Sequence, residues 1–307
     1  MATATIQIAQ NTQVTRPTIG QQFLAGQLSQ ATARAYRSDV EDFFGMPCEA
    51  LTPEHLRAVT AADVIDWRNA RMAEQSPATV ARKVSSLRSL FRHAKAVGMI
   101  DESPIQREVV RSPRVSQESG TEGLTRDEAR ALLDAITGDG LTALRDRAMV
   151  TMMLYTGLRR AEVVSVDLAD LSTEQGHTVL TVTGKGGKVR KAVLRAEVLR
   201  ELDVYLQART DDSPALFVNH ARNGHDGQRL SDKAVARRIE RYAAAAGIAK
   251  HITAHSLRHS FATAAIDGGA PVHRLQYAMG HAEPRTTMRY YRNAENLDDH
   301  ASRYVTF

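Results

Sequence analysis

Four segments in the second half of the sequence carry polar residues whose types and spacing suit reaction chemistry. In the first, Thr156-Gly157-Leu158-Arg159-Arg160-Ala161-Glu162, a glycine stops one helix and an arginine opens the next. A guanidinium can fork two phosphate oxygens, and Glu162, three residues on, is in reach to orient or pair with Arg159. The second, Gly184-Lys185-Gly186-Gly187-Lys188, has the Gly-Lys pair of a phosphate-binding loop. Val189 and a strand follow it in place of Ser or Thr and a helix, so a nucleotide-binding loop is excluded. A lysine on such a turn can act as a point charge or a proton donor.

The third segment is His255-Ser256-Leu257-Arg258-His259. Its helical spacing puts His255 and Arg258 on one face. His255 and His259 stand four apart, but Ser256 occupies the position where a zinc protease needs a glutamate, so no metal site is read there. The fourth runs from Met279 to Tyr291, where a Gly280-His281 turn feeds a short helix started by Pro284 and ended by Tyr290 and Tyr291.

Each segment alone fits a surface ion pair, a solvated turn or a packing tyrosine. Together they assemble two arginines, a lysine, two histidines and a tyrosine, with neither paired carboxylates nor a cysteine cluster. That set suits transfer of a phosphodiester to a tyrosine. The attacked phosphate gathers negative charge that two guanidinium forks and a histidine donor stabilise without magnesium. The phenol, with an ordinary pKa of about 10, needs a base and cationic neighbours to become a nucleophile.

Elements must hold these groups in place. Apolar residues at helical spacing predict helices over 18–28, 31–44, 61–74 and 77–97, the last with Ser76 as cap and Pro77 at its first position. Residues 103–123, rich in Ser, Pro and Gly, read as a linker. Beyond it, Thr125 and Glu128 form a capping-box pattern, and a helix over 141–156 stops at Gly157. The period changes to two at 178–183 and again at 189–194, a hairpin with 184–188 at its tip, and 215–218 is a candidate further strand. Helices are predicted again over 197–209, 232–246, 256–267, 271–279 and 284–291. The expected fold is mainly α: a helical N-terminal domain and an α+β domain with a small antiparallel sheet.

Length and composition agree with two soluble domains: 307 residues, 43% apolar and 24% charged. A single cysteine, Cys48, excludes a disulfide framework and fits a reducing compartment. Residues 1–13 lack the basic and apolar regions of a secretory signal, which reads as a cytoplasmic protein with no membrane association. Lysine and arginine exceed aspartate and glutamate, 40 to 35, for a net charge of +5 and a pI near 9.4, an excess that invites a polyanionic partner. Part of it lies in the helix 77–97, where Arg82, Lys83, Arg88, Arg92 and Lys95 stand without a carboxylate, a candidate phosphate-tracking surface or a solvated face.

The boxes TGLRRAE, TGKGGK, HSLRH and GHAEPRTTMRYY, in that order and at these spacings, resemble the signature boxes of the tyrosine recombinases, which include phage integrases and the Xer recombinases. The resemblance covers the chain from about Thr18 onward. It implies that Arg159 and Arg258 clamp the phosphate, that Lys185 protonates the departing 5′ oxygen, that His255 handles protons, and that His281 hydrogen-bonds the phosphate. Glu162 would be the acidic support, and Tyr290, nine residues after His281, the nucleophile.

Residues 1–17, rich in Thr, Gln and Ala without periodicity, read as a flexible tail. On either side of the linker at 103–123, the resemblance implies a core-binding DNA-binding domain at 18–102, a catalytic domain at 124–291, and a C-terminal tail at 292–307 that docks on a neighbouring protomer. Site-specific cleavage and rejoining of duplex DNA would proceed through a 3′-phosphotyrosyl intermediate, with no metal, cofactor or ATP. Double-stranded DNA with paired recombination sites would be held by a homotetramer, or by a heterotetramer with a related recombinase, in a cytoplasmic, nucleoid-associated setting. The other readings of the same residues are relaxation of DNA by a type IB topoisomerase-like enzyme and a DNA-binding accessory protein that does not cleave.

Overall fold

Hydroxyl caps set the helix starts of the N-terminal unit. Thr18, Ser29, Thr52, Thr60 and Ser76 each accept a backbone N–H three residues on, at the heads of α1 (Ile19–Ala25), α2 (Gln30–Phe44), α3 (Pro53–Ala58), α4 (Ala61–Glu74) and α5 (Pro77–Ala96). In the computed structural model the described residues are 17–115, 122–220, 226–281 and 283–291, and the chain divides into two units, Met1–Ser116 and Gln117–Phe307. The expected tails fall outside the described residues, apart from Pro17.

In the first unit α5 is the central helix. Val80, Val84, Leu87 and Phe91, at alternating steps of four and three, are buried with Phe23, Val40, Leu56 and Val64. The sequence periodicity found four of these five helices; α3 is too short to show a period.

Two expectations change here. Ile105 and Val110, read as linker, are buried in this core, so the first part of 103–123 is packed against α5. The cations of α5 are largely committed to the unit itself. Lys83 is buried and its Nζ donates to Asp42 at 2.9 Å, Arg82 pairs with the buried Asp39, and Arg88 donates to Ser112 Oγ at 2.7 Å and to the Val110 carbonyl. Lys95 pairs with Glu102 at the surface, and Arg92 is exposed. Partners distant in sequence, the carboxylates of Asp39 and Asp42 and the oxygens of Val110 and Ser112, are the reason, and a charge count along one helix does not show them.

The second unit is built around α7 (Leu141–Thr156), whose Met149, Val150, Met152 and Met153 are buried. Their cluster includes Val198, Leu202 and Tyr205 of α9 (Ala196–Ala208) and Leu180 and Val182 of the sheet. The sheet has three antiparallel strands in the order β1 (Leu171–Glu174), β2 (His177–Thr183), β3 (Val189–Val193), in register at Leu171 with Leu180 and Val182 with Arg190. β1 was not expected; it is short and carries only one large apolar residue, Leu171. Residues 215–218 form no strand, only isolated bridges from Ala215 to Asp167 and from Val218 to Arg229.

The remaining helices are α6 (Arg126–Asp134), α8 (Arg160–Ser165), α10 (Asp232–Ala245), α11 (Ala254–Asp267), α12 (Val272–Met279) and α13 (Pro284–Tyr291). The expected mainly helical architecture with a small antiparallel sheet is the one observed. Among the described residues no helix is long and apolar enough to cross a membrane.

Candidate active site

Gly157 closes α7 with φ of 62°, and a β-carbon there would stand 2.4 Å from the Phe261 ring, so both backbone and space call for glycine. Two residues later Arg159 caps α8. Its peptide N–H donates to Glu162 Oε2 at 2.7 Å and its Nη1 to Oε1 at 2.9 Å, while Nη2 reaches the Gly280 carbonyl at 3.4 Å. The guanidinium stays partly exposed; the carboxylate behind it is buried.

Strand β3 supplies the second partner of that carboxylate. Arg190 turns inward between the exposed Val189 and Lys191, and its Nη1 and Nη2 donate to Glu162 Oε1 and Oε2 at 2.9 and 2.8 Å. Its Nε donates to the Ala278 carbonyl at 2.9 Å. Burial would raise the Glu162 carboxyl, but the hydrogen bonds and charge of Arg190, aided by Arg159, outweigh it and hold the group at about 2.

From α11 comes Arg258, buried, donating to the carbonyls of Gly157 and Met279 and to His281 Nε2 at 2.9 Å. Desolvation, then repulsion from Arg159, lowers it to about 10, which leaves it charged at neutral pH. A guanidinium has no acceptor, so His281 Nε2 accepts and the imidazole is neutral, with its proton on Nδ1. That nitrogen lies 2.9 Å from Oγ1 of the buried Thr287. Burial and the charges of Arg258, Arg159 and Arg190 push His281 down to about 4, in agreement with a neutral ring.

His255 is exposed on the same helix, and desolvation followed by the charges of Arg258 and Arg159 holds it below the ordinary imidazole value. With Arg159 and Arg258 it lines a cleft of about 380 Å³. A neighbouring cleft of about 460 Å³ is lined by Arg159, Lys188, Arg190 and His281. Arg159 belongs to both.

The Tyr290 ring lies parallel to His281 with centroids 6.3 Å apart, and edge-on to His259 at 4.9 Å. Phe261, Ala265 and Ile266 share its apolar cluster. Arg159, Glu162, Arg258, His281 and Tyr290, distributed over 132 positions of sequence, are therefore brought to one place, with His255 at the cleft beside them. Lys185 begins the turn at the hairpin tip, where Gly184 N–H bonds the Lys188 carbonyl at 2.7 Å, but its side chain falls outside the described parts, as does that of Tyr291.

Sequence reading missed Arg190, Thr287 and His259. Arg190 had a signal: in the alternation of β3 it takes an inward position, where a cation needs a buried partner. Among the described residues, no three His, Cys, Asp or Glu side chains gather as metal ligands.

Residues 122–296 match the model of the phage integrase family, and residues 22–98 match its N-terminal SAM-like domain. The chain belongs to the phage integrase family. It is a site-specific tyrosine recombinase, as the Xer relatives agree. It is 33% identical over 272 residues to the tyrosine recombinase XerC of Thermodesulfovibrio yellowstonii, covering 85% of each chain, and 36% identical over 233 residues to XerD of Mycobacterium leprae, covering 71% of each. The fold of this recombinase is that of XerH bound to its palindromic difH substrate (TM-score 0.67, 20% identity, 86% of this chain and 77% of that one). It is equally that of a lambda integrase dimer bound to a core site (TM-score 0.69, 19% identity, 91% and 77%).

Proposed function

We propose that this recombinase cleaves one strand of duplex DNA by attack of Tyr290 on a phosphate held by Arg159 and Arg258. The observation that carries the assignment is the convergence of both guanidinium groups and the Tyr290 ring around His281. The Tyr290 oxygen bonds to phosphorus, the bond from phosphorus to the 5′ oxygen breaks, and the product is a 3′-phosphotyrosyl linkage. The phenol proton passes toward His255, whose lowered pKa keeps it neutral and able to accept. Lys185, at the hairpin tip, gives its proton to the departing 5′ oxygen. The linkage conserves the energy of the broken bond, so rejoining needs no ATP, and the charge on the phosphate is met by guanidinium groups, so no step calls on a metal.

XerH and lambda integrase are described as bound to DNA substrates, and by similarity duplex DNA is the partner here. A tetramer on two sites, exchanging one strand pair at a time, is the assembly that fits strand exchange. On the N-terminal unit, Arg92, together with the half-exposed Arg82 and Lys95, would face the DNA backbone. The test is cleavage of a nicked duplex that traps the covalent intermediate, in excess EDTA and without nucleotide. A trapped adduct is expected; its loss with DNA binding intact would refute metal-free cleavage.

A further inference from the structure

Among the described residues the two oxygens of Glu162 accept four hydrogen bonds, two from the Arg190 guanidinium and two from Arg159, and only one of the four comes from the Arg159 guanidinium. Two guanidinium groups and one carboxylate leave a net single positive charge. Both Arg190 and Glu162 are buried, at 6% and 4% exposure, whereas the Arg159 side chain is 38% exposed. Arg190 also binds the last turn of α12 through the Ala278 carbonyl, and Gly280 leaves it room, since a β-carbon there would stand 3.2 Å from Arg190 Cδ and Nη1.

We propose that Arg190 is a positioning residue: by occupying both oxygens of Glu162 it keeps the Arg159 guanidinium from closing on that carboxylate and leaves it available to the scissile phosphate. Without Arg190 the cationic partner left to the buried carboxylate among the described residues is Arg159. A forked Arg159–Glu162 pair is electrically neutral and draws the guanidinium inward, away from the clefts it lines. Arg190 itself need not touch DNA. The inference rests on the assignment of Arg159 to the phosphate.

Single-turnover cleavage of the nicked duplex, duplex affinity and the unfolding midpoint are measured for the full chain and for Arg159→Ala, Arg190→Met, Arg190→Lys, Glu162→Gln and the double variant Glu162→Gln/Arg190→Met. Arg190→Met is expected to slow cleavage about tenfold or more, the scale of misplacing a group that orients the reaction, while duplex binding is retained. The double variant is expected to cleave faster than Arg190→Met, because a neutral amide no longer captures Arg159. A residue that merely supported the fold would show relief only in step with a recovered unfolding midpoint, so the rates are compared at a temperature where every variant is folded; a double variant as slow there as Arg190→Met, or slower, overturns the proposal. Should Arg190→Met fail to fold, Arg190→Lys with and without Glu162→Gln is read in the same way. If cleavage survives Arg159→Ala, the assignment of Arg159 is wrong. If cleavage needs Arg159 but tolerates Arg190→Met, only the present inference fails.

Discussion

Arg258 donates to Nε2 of His281 across 2.9 Å, which fixes the imidazole as a neutral acceptor with its other nitrogen against Thr287. In this arrangement His281 orients the buried arginine rather than presenting an N–H to a phosphate. To donate to substrate through Nε2, the ring must give up the Arg258 bond and change its protonation, so the two histidine roles compete.

This pairing predicts acid sensitivity. His281 is lowered from 6.5 to about 4, so the unfolded chain binds the proton more readily, and the stability this group contributes is full above about pH 6.5 and lost as pH falls toward about 4. Glu162, lowered from 4.5 to about 2, extends the loss to lower pH. The unfolding midpoint is expected to fall between pH 6.5 and 4, and His281→Gln, which keeps an acceptor but cannot titrate, should make that fall shallower. His255 and His259 are also lowered and would leave part of it. An unchanged slope in His281→Gln would show that His281 is not among the responsible groups.

Much of this site was legible because its members sit at element ends that sequence marks: Gly157 before Arg159 and Gly280 before His281. Helix periods likewise gave most of the fold. The alternation of β3 marks Arg190 as an inward cation, but its partner was not legible, since Glu162 lies 28 positions away and on another element. The same gap misled the reading of α5, where Asp39 and Asp42 of α2 answer cations that look unopposed along their own helix. Long-range electrostatic pairing has no period, and only the folded chain shows it.

Tyr290 rather than Tyr291 is expected to carry the covalent bond to DNA. Adjacent helical residues point about 100° apart, so one phenol at most faces a phosphate held by Arg159 and Arg258. The ring of Tyr290 is the one beside His281. Tyr290→Phe should abolish the trapped adduct while retaining duplex binding, and Tyr291→Phe should keep it at least in part. Mass spectrometry of the trapped peptide reads the answer directly, and a nucleotide on Tyr291 would reverse the assignment.

Two lysines flank the hairpin tip, and Lys188 lines the cleft with Arg159 and His281. Lys185 is nonetheless expected to be the proton donor, because its place in Gly184-Lys185-Gly186 resembles that of the lysine in the family's hairpin box. A donor matters only while the leaving oxygen needs a proton. Lys185→Ala should therefore fail on ordinary DNA and recover on a substrate whose 5′ bridging oxygen is replaced by sulfur, a better leaving group. Rescue of Lys188→Ala instead would transfer the role to Lys188.

The cations of α5 should separate into two groups by what their loss changes. Arg92 is exposed, and each phosphate contact removed lowers the dependence of affinity on salt, so Arg92→Glu is expected to weaken duplex binding and flatten its salt slope. Lys83 and Arg88 hold Asp42 and the 110–112 segment. Lys83→Met leaves a carboxylate with one fewer partner, although Arg71 still reaches Asp42 at 3.0 Å, and should lower the unfolding midpoint more than it changes the salt slope. Arg88→Met should behave likewise by releasing the Val110 carbonyl and Ser112. Salt titrations of binding and thermal unfolding of the three variants decide it: a salt slope lowered by Lys83→Met as much as by Arg92→Glu would return the buried lysine to the DNA surface.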